Sequence, residues 1–133
     1  MRLPIREEAD VSVARTRTRQ LALQEGFDDA RAAAITTAVS EVAWNIVVHA
    51  GAGEIELDVV TEHGRRALTA VARDAHPGIA DVDAAMRDGH STRGGLGLGL
   101  PSARRLVDEF EIRSAVGRGT TVTLKKWVHD ADE

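Results

Sequence analysis

A two-layer α/β sandwich is the fold this sequence predicts, with helices on one face of a mixed, mostly antiparallel sheet. Three observations carry the expectation. First, the candidate strands alternate. Ile55, Leu57 and Val59 interleave with Glu54, Glu56 and Asp58, while Phe110, Ile112, Val122 and Leu124 interleave with Glu111, Arg113, Thr123 and Lys125. Strands with one apolar and one polar face need a helix layer on one side and water on the other. Second, strands follow each other in hairpins more than in strand–helix–strand units, so the sheet is not doubly wound. Third, 133 residues suit one domain around one core, with residues 128–133 as a polar tail.

Each element has a local reason. Residues 2–8 suit a short first strand with Leu3 and Ile5 on one face, and Pro4 favours an edge. Asp10–Gln24 has Val11, Ala14, Leu21 and Ala22 near helical spacing, with Gly26 as a stop. Arg15, Arg17 and Arg19 give that helix a basic, solvated side. Asp28 or Asp29 caps a longer helix running to about Ala50, with a stripe of Ala34, Ile35, Ala38, Val39, Val42 and Ile46. Gly51 and Gly53 end it. Strands over Glu54–Thr61 and Arg66–Asp74 flank a turn at His63-Gly64. Asp81 caps a short helix through Met86, and a further helix runs from about Leu98 to Asp108, with Pro101 in its first turn. Strands over Phe110–Ser114 and Thr120–Trp127 close the chain around Gly117 and Gly119.

Composition excludes several classes. Net charge is −4, against a general electrostatic hold on nucleic acid. Without cysteine there is no disulfide, thiol nucleophile or zinc–thiolate site. No run approaches membrane-spanning length, and the first eight residues hold no apolar stretch of signal-peptide size. The expectation is a cytoplasmic protein with no membrane partner.

Four places carry chemistry. Glu41 and Asn45 are one helical turn apart, beside the apolar stripe. A carboxylate and an amide oxygen are hard donors of the kind Mg²⁺ accepts while keeping waters and phosphates. The carboxylate can also take a proton from a hydroxyl; the plainer alternative is a polar pair facing solvent. Asp74 ends its strand on the inward face, where a purine amine or a turn before Pro77-Gly78 would satisfy it. Thr120 shares the inward face of Val122 and offers a hydroxyl beside Asp74, or simply suits a strand. Gly94, Gly95, Gly97 and Gly99 precede a helix, as a phosphate-holding loop or a flexible connection. Neither G-x-x-x-x-G-K-[ST] nor G-x-G-x-x-G occurs there.

These stretches, taken in order, resemble the GHKL ATPase/kinase superfamily in the form of bacterial anti-sigma-factor serine kinases. Glu41-Val42-Ala43-Trp44-Asn45-Ile46-Val47-Val48-His49-Ala50 looks like its N box, and Asp74-Ala75-His76-Pro77-Gly78-Ile79 its first glycine box. Gly94 to Gly99 resembles the second, within the ATP lid, and Gly117-Arg118-Gly119-Thr120 the third. Asp88 to Pro101 together with Arg104 to Phe110 is most similar to RsbT-like switch serine kinases. The resemblance implies a Bergerat-type fold, ATP and Mg²⁺, and a serine or threonine of a STAS-domain antagonist protein as acceptor. A phosphatase regulator or a sigma factor is a further implied partner. Carried over, Glu41 is the general base, Asn45 the Mg²⁺ ligand and Asp74 the adenine anchor. Gly78 and Ile79 line the adenine pocket, and Thr120 or Thr121 meets the adenine through its hydroxyl. Arg93, Gly94, Gly95, Leu96, Gly97, Leu98 and Gly99 form the phosphate end. One position departs: the family pattern D-x-G-x-G has its first glycine where His76 stands. That departure supports a second expectation, a binding module or anti-sigma factor acting by sequestering or activating a partner. Trp44 stands where smaller or polar residues are usual, and core packing is expected for it.

Overall fold

The structure, a computed structural model, describes residues 1–74, 99–115 and 119–129. In chain order these form β1 (Arg2–Ile5), α1 (Glu8–Gln24), α2 (Asp29–Asn45) continuing into a π-helical turn (Ile46–Ala50), β2 (Gly53–Glu62) and β3 (Arg65–Asp74). After the glycines come α3 (Leu100–Leu106), β4 (Glu109–Ala115) and β5 (Gly119–Trp127). The strands make one sheet in the order β1-β2-β3-β5-β4. Its four described pairings are all antiparallel, which places the sheet at the antiparallel end of the expectation.

Alternation decides the faces. Ile55, Leu57, Leu68, Ala70, Ala72, Val122 and Leu124 are buried against Ile35, Val39, Val42 and Ile46 in one core. Helix α2 is central: it packs on β3 and β5 and is flanked by α1 and α3. The outer face is charged. Arg73 donates to Glu56 at 3.1 Å, and this hydrogen bond holds the Glu56 carboxyl below the usual carboxylate range. The Trp127 ring lies under Arg65 and Lys125, 4.1 and 4.4 Å from its centroid. Exposed pairs of this kind contribute little stability each; they keep the face wet.

Several boundaries differ from the sequence expectation. The first strand stops at Ile5, and α1 begins at Glu8, because Asp10 acts from inside the first turn and accepts from the Glu7 N–H at 3.2 Å. Its C-terminus is a Schellman motif: Gly26 at φ +96° lets its own N–H reach Leu23 O and the Phe27 N–H reach Ala22 O. Helix α3 is shorter than expected at both ends. Gly99 has φ +79°, which is not helical, so the first turn starts at Leu100. Val107 is extended, and Asp108 is tied to β5 by accepting the Trp127 N–H at 2.8 Å. Val128, expected in a frayed tail, is 2% exposed and donates to Arg66 O at 2.9 Å, extending the pairing past β5. The expected helix from Asp81 to Met86 lies outside the described residues. Among them, no helix is long and apolar enough to cross a membrane.

Candidate functional site

Glu41 and Asn45 sit one turn apart on α2, both half-buried. Asn45 Nδ2 donates to the Glu41 carbonyl at 3.1 Å, turning the nitrogen end of the amide back onto the helix and the oxygen end away from that carbonyl. Immediately after Asn45 the helix widens. Gly51 donates to Ile46 O, five residues back, at 2.8 Å, and its φ of +81° ends the turn where the glycine predicted an end. Wide turns of this kind are frequent at functional sites. Nothing in the side-chain periodicity marked it.

The next strand starts hard against this turn. A Cβ on Gly53 would lie 2.9 Å from Ile46 Cγ2 and 3.2 Å from Asp74 Cβ, and would overlap the Arg73 carbonyl. Only glycine permits that approach. The sequence marks Gly53 only as a helix stop; its close approach to Ile46 and Asp74 is visible in the fold alone. Asp74 lies opposite Gly53 on one side and Thr120 on the other, half-buried at the end of β3 and on the face of Leu68, Ala70 and Ala72.

Thr120 is 8% exposed and its hydroxyl is 2.8 Å from that of Ser114. Ser114 donates its single hydroxyl proton to Gly119 O at 3.2 Å, which makes Thr120 the donor of the pair. Ser114 was not singled out from the sequence, although its parity with Phe110 and Ile112 put it on the inward face. Thr121 pairs with Arg73 and Arg113 on the opposite face of the sheet. A two-residue period cannot bring both threonines to one pocket, so the expectation for Thr121 is corrected and Thr120 is retained.

Gly99 joins the glycine-rich stretch to α2. A Cβ there would overlap the Glu41 carboxylate and lie 3.0 Å from Glu41 Cβ. The structure therefore brings Glu41, Asn45 and Gly99 together at one end, and Asp74, Thr120 and Ser114 at the other. Ile46 and Gly53 join the two ends. Gly78, Ile79, Arg93, Gly94, Gly95, Leu96, Gly97 and Leu98 lie outside the described residues, as does His76. Trp44 contradicts its expected place in the core: it is 40% exposed, because it falls about 200° around the helix from Val42.

The donor set can be tested for a metal. Among the described residues no three His, Cys, Asp or Glu side chains cluster. An all-protein cage is thus not built here. The Asn45 amide oxygen does suit a hard ion that keeps waters and phosphate oxygens as its other ligands, as Mg²⁺ does.

A family model for the histidine kinase-like ATPase domain matches residues 4–126, from the first strand through nearly all of the last. The chain belongs to that family. The histidine kinase-like ATPase domain described above is similar to serine/threonine-protein kinase RsbT of Bacillus subtilis (strain 168), with 44% identity over 124 residues, 93% of each chain. It is also similar to anti-sigma F factor of Geobacillus thermodenitrificans (strain NG80-2), with 36% identity over 101 residues, 71% of this chain and 68% of the other. Anti-sigma F factor of Geobacillus stearothermophilus is 34% identical over 99 residues, 69% of this chain and 66% of its own. The superfamily suggested by the four ordered boxes is thereby established.

Proposed function

We propose that this histidine kinase-like ATPase domain is a serine/threonine-protein kinase of a bacterial partner-switching module, and that its substrate is a STAS-domain antagonist protein. The observation that carries the reading is the packing of Gly99 on the Glu41 carboxylate, with Asn45 one turn away on the same helix. It joins a candidate base to the glycine-rich stretch. The identity to a protein named as a serine/threonine-protein kinase supports the reaction class. The anti-sigma F factor relatives support action through a protein partner.

In this reading catalysis is mostly positioning and charge neutralisation. Asp74 accepts a hydrogen bond from the adenine amine, with Thr120 beside it. Thr120 spends its proton on Ser114, so it meets the nucleotide as an acceptor or through its methyl group. Asn45 would hold Mg²⁺ through its amide oxygen. When bound, the ion neutralises phosphate charge. Gly95, Gly97 and Gly99, which carry no side chain, would lie along the triphosphate, with Arg93 as a further phosphate contact. Glu41 takes the proton of the acceptor hydroxyl as its oxygen bonds to the γ-phosphorus and the bond to the β,γ-bridging oxygen breaks, releasing ADP.

A second reading has its own observation, His76 at a family glycine. If that side chain disables nucleotide binding, the domain acts by holding a sigma factor or a phosphatase regulator. Calorimetry with Mg-ADP separates the two. The kinase reading expects the wild type to bind, and His76→Gly to bind as well or more tightly. Binding by His76→Gly alone supports the second reading, and no binding by either protein removes the kinase.

A further inference from the structure

Besides packing on Gly99, the Glu41 side chain lines a groove of about 210 Å³ between α1 and α2, together with Val11, Arg15, Ser40 and Trp44. Arg15 Nη2 donates to Ser40 Oγ at 2.8 Å and so links the two helices across it. Trp44 is the largest exposed apolar side chain among the described residues, and Val48, also 40% exposed, stands one turn further along α2. Small-ligand pockets run to roughly 300–1,000 Å³. This groove is smaller, sized for one side chain and a short piece of backbone rather than a second nucleotide.

We propose that the groove seats the acceptor segment of the protein substrate, and that Trp44 determines which segment is accepted. The occupant is an extended stretch that lays an apolar side chain on the Trp44 ring, next to the serine or threonine whose hydroxyl reaches Glu41. The inference rests on the kinase reading above. Its first support is continuity: one carboxylate borders both Gly99 and the groove. A base for the transfer must reach the acceptor hydroxyl while that hydroxyl faces the phosphate, and in-line attack brings the acceptor from the side away from the leaving group. Its second support is chemical. Exposing a tryptophan keeps a large apolar surface in water, and such aromatics carry much of the binding energy when a partner covers them.

The test is steady-state kinetics with a STAS-domain substrate protein and Mg-ATP. Trp44→Ala is expected to raise KM for the protein substrate about tenfold, leave KM for Mg-ATP unchanged, and be largely rescued by Trp44→Phe. An unchanged protein KM, or equal increases in both KM values, overturns the proposal. Calorimetry of the same partner with nucleotide-free protein separates this from a failure of the kinase reading. A wild type that binds about tenfold more tightly than Trp44→Ala yet transfers no phosphate supports the groove and removes the kinase. Equal affinities, or no binding of the STAS protein by the wild type, overturn the groove whatever the transfer assay reads.

Discussion

Replacing Glu41 by alanine is expected to slow phosphoryl transfer roughly a hundred- to ten-thousand-fold, the range a positioned general base contributes. That corresponds to about 3–5 kcal/mol of barrier. The loss belongs in kcat. A base that acts only on the acceptor proton should leave affinity for Mg-ATP within a few-fold of wild type. Glu41→Gln sharpens the result, because it keeps the side-chain shape against Gly99 and removes only the basicity. A glutamine variant with near wild-type kcat contradicts the role of base; a variant that has lost nucleotide affinity instead assigns Glu41 to ligand binding.

The second large effect is expected at Gly99. Its φ of +79° disfavours any L side chain by about 1–2 kcal/mol, and a Cβ would also overlap the Glu41 carboxylate. Gly99→Ala should therefore lower Tm by several degrees and reduce kcat at least tenfold, since the collision displaces the base itself. The two contributions separate in a double mutant. Glu41→Ala removes the overlap with the carboxylate but leaves the 3.0 Å approach to the Cβ of residue 41 and the backbone strain, so Gly99→Ala should cost less stability in that background than in wild type. Equal costs in both backgrounds, read by thermal or urea unfolding, contradict the contact.

How much of this was legible in the sequence depends on the physics behind each feature. Strand faces follow from a period of two, and a residue cannot change face without slipping the register. Asp74 and Thr120 could therefore be assigned to one face before their pairing was seen, and the same arithmetic could have found Ser114 and set Thr121 aside. The stripe on α2 was equally plain. For Trp44 the two signals conflict: an aromatic side chain suggests the core, while its position on the helix puts it outside. The π-helical turn after Asn45 leaves no trace in composition, and the approach of Gly53 to Ile46 beside it is a tertiary contact that no local pattern encodes. Capping also overrides periodicity. Asp10 works from the third position of α1, so the helix starts earlier than the apolar pattern alone indicates. The contact between Gly99 and Glu41 spans more than fifty residues, and no local signal encodes it. The four boxes gave the family, but not which atoms meet.

The central claim is that this domain moves phosphate from ATP to a protein hydroxyl. The most direct measurement incubates the wild-type protein with Mg-ATP labelled in its γ-phosphate and a STAS-domain protein, then identifies the labelled residue. Label is expected on a serine or threonine of the partner, with ADP released in equal amount and transfer at least a hundredfold slower with Glu41→Ala. A wild type that binds the nucleotide and the partner together, yet leaves every serine and threonine of the partner unlabelled, contradicts it.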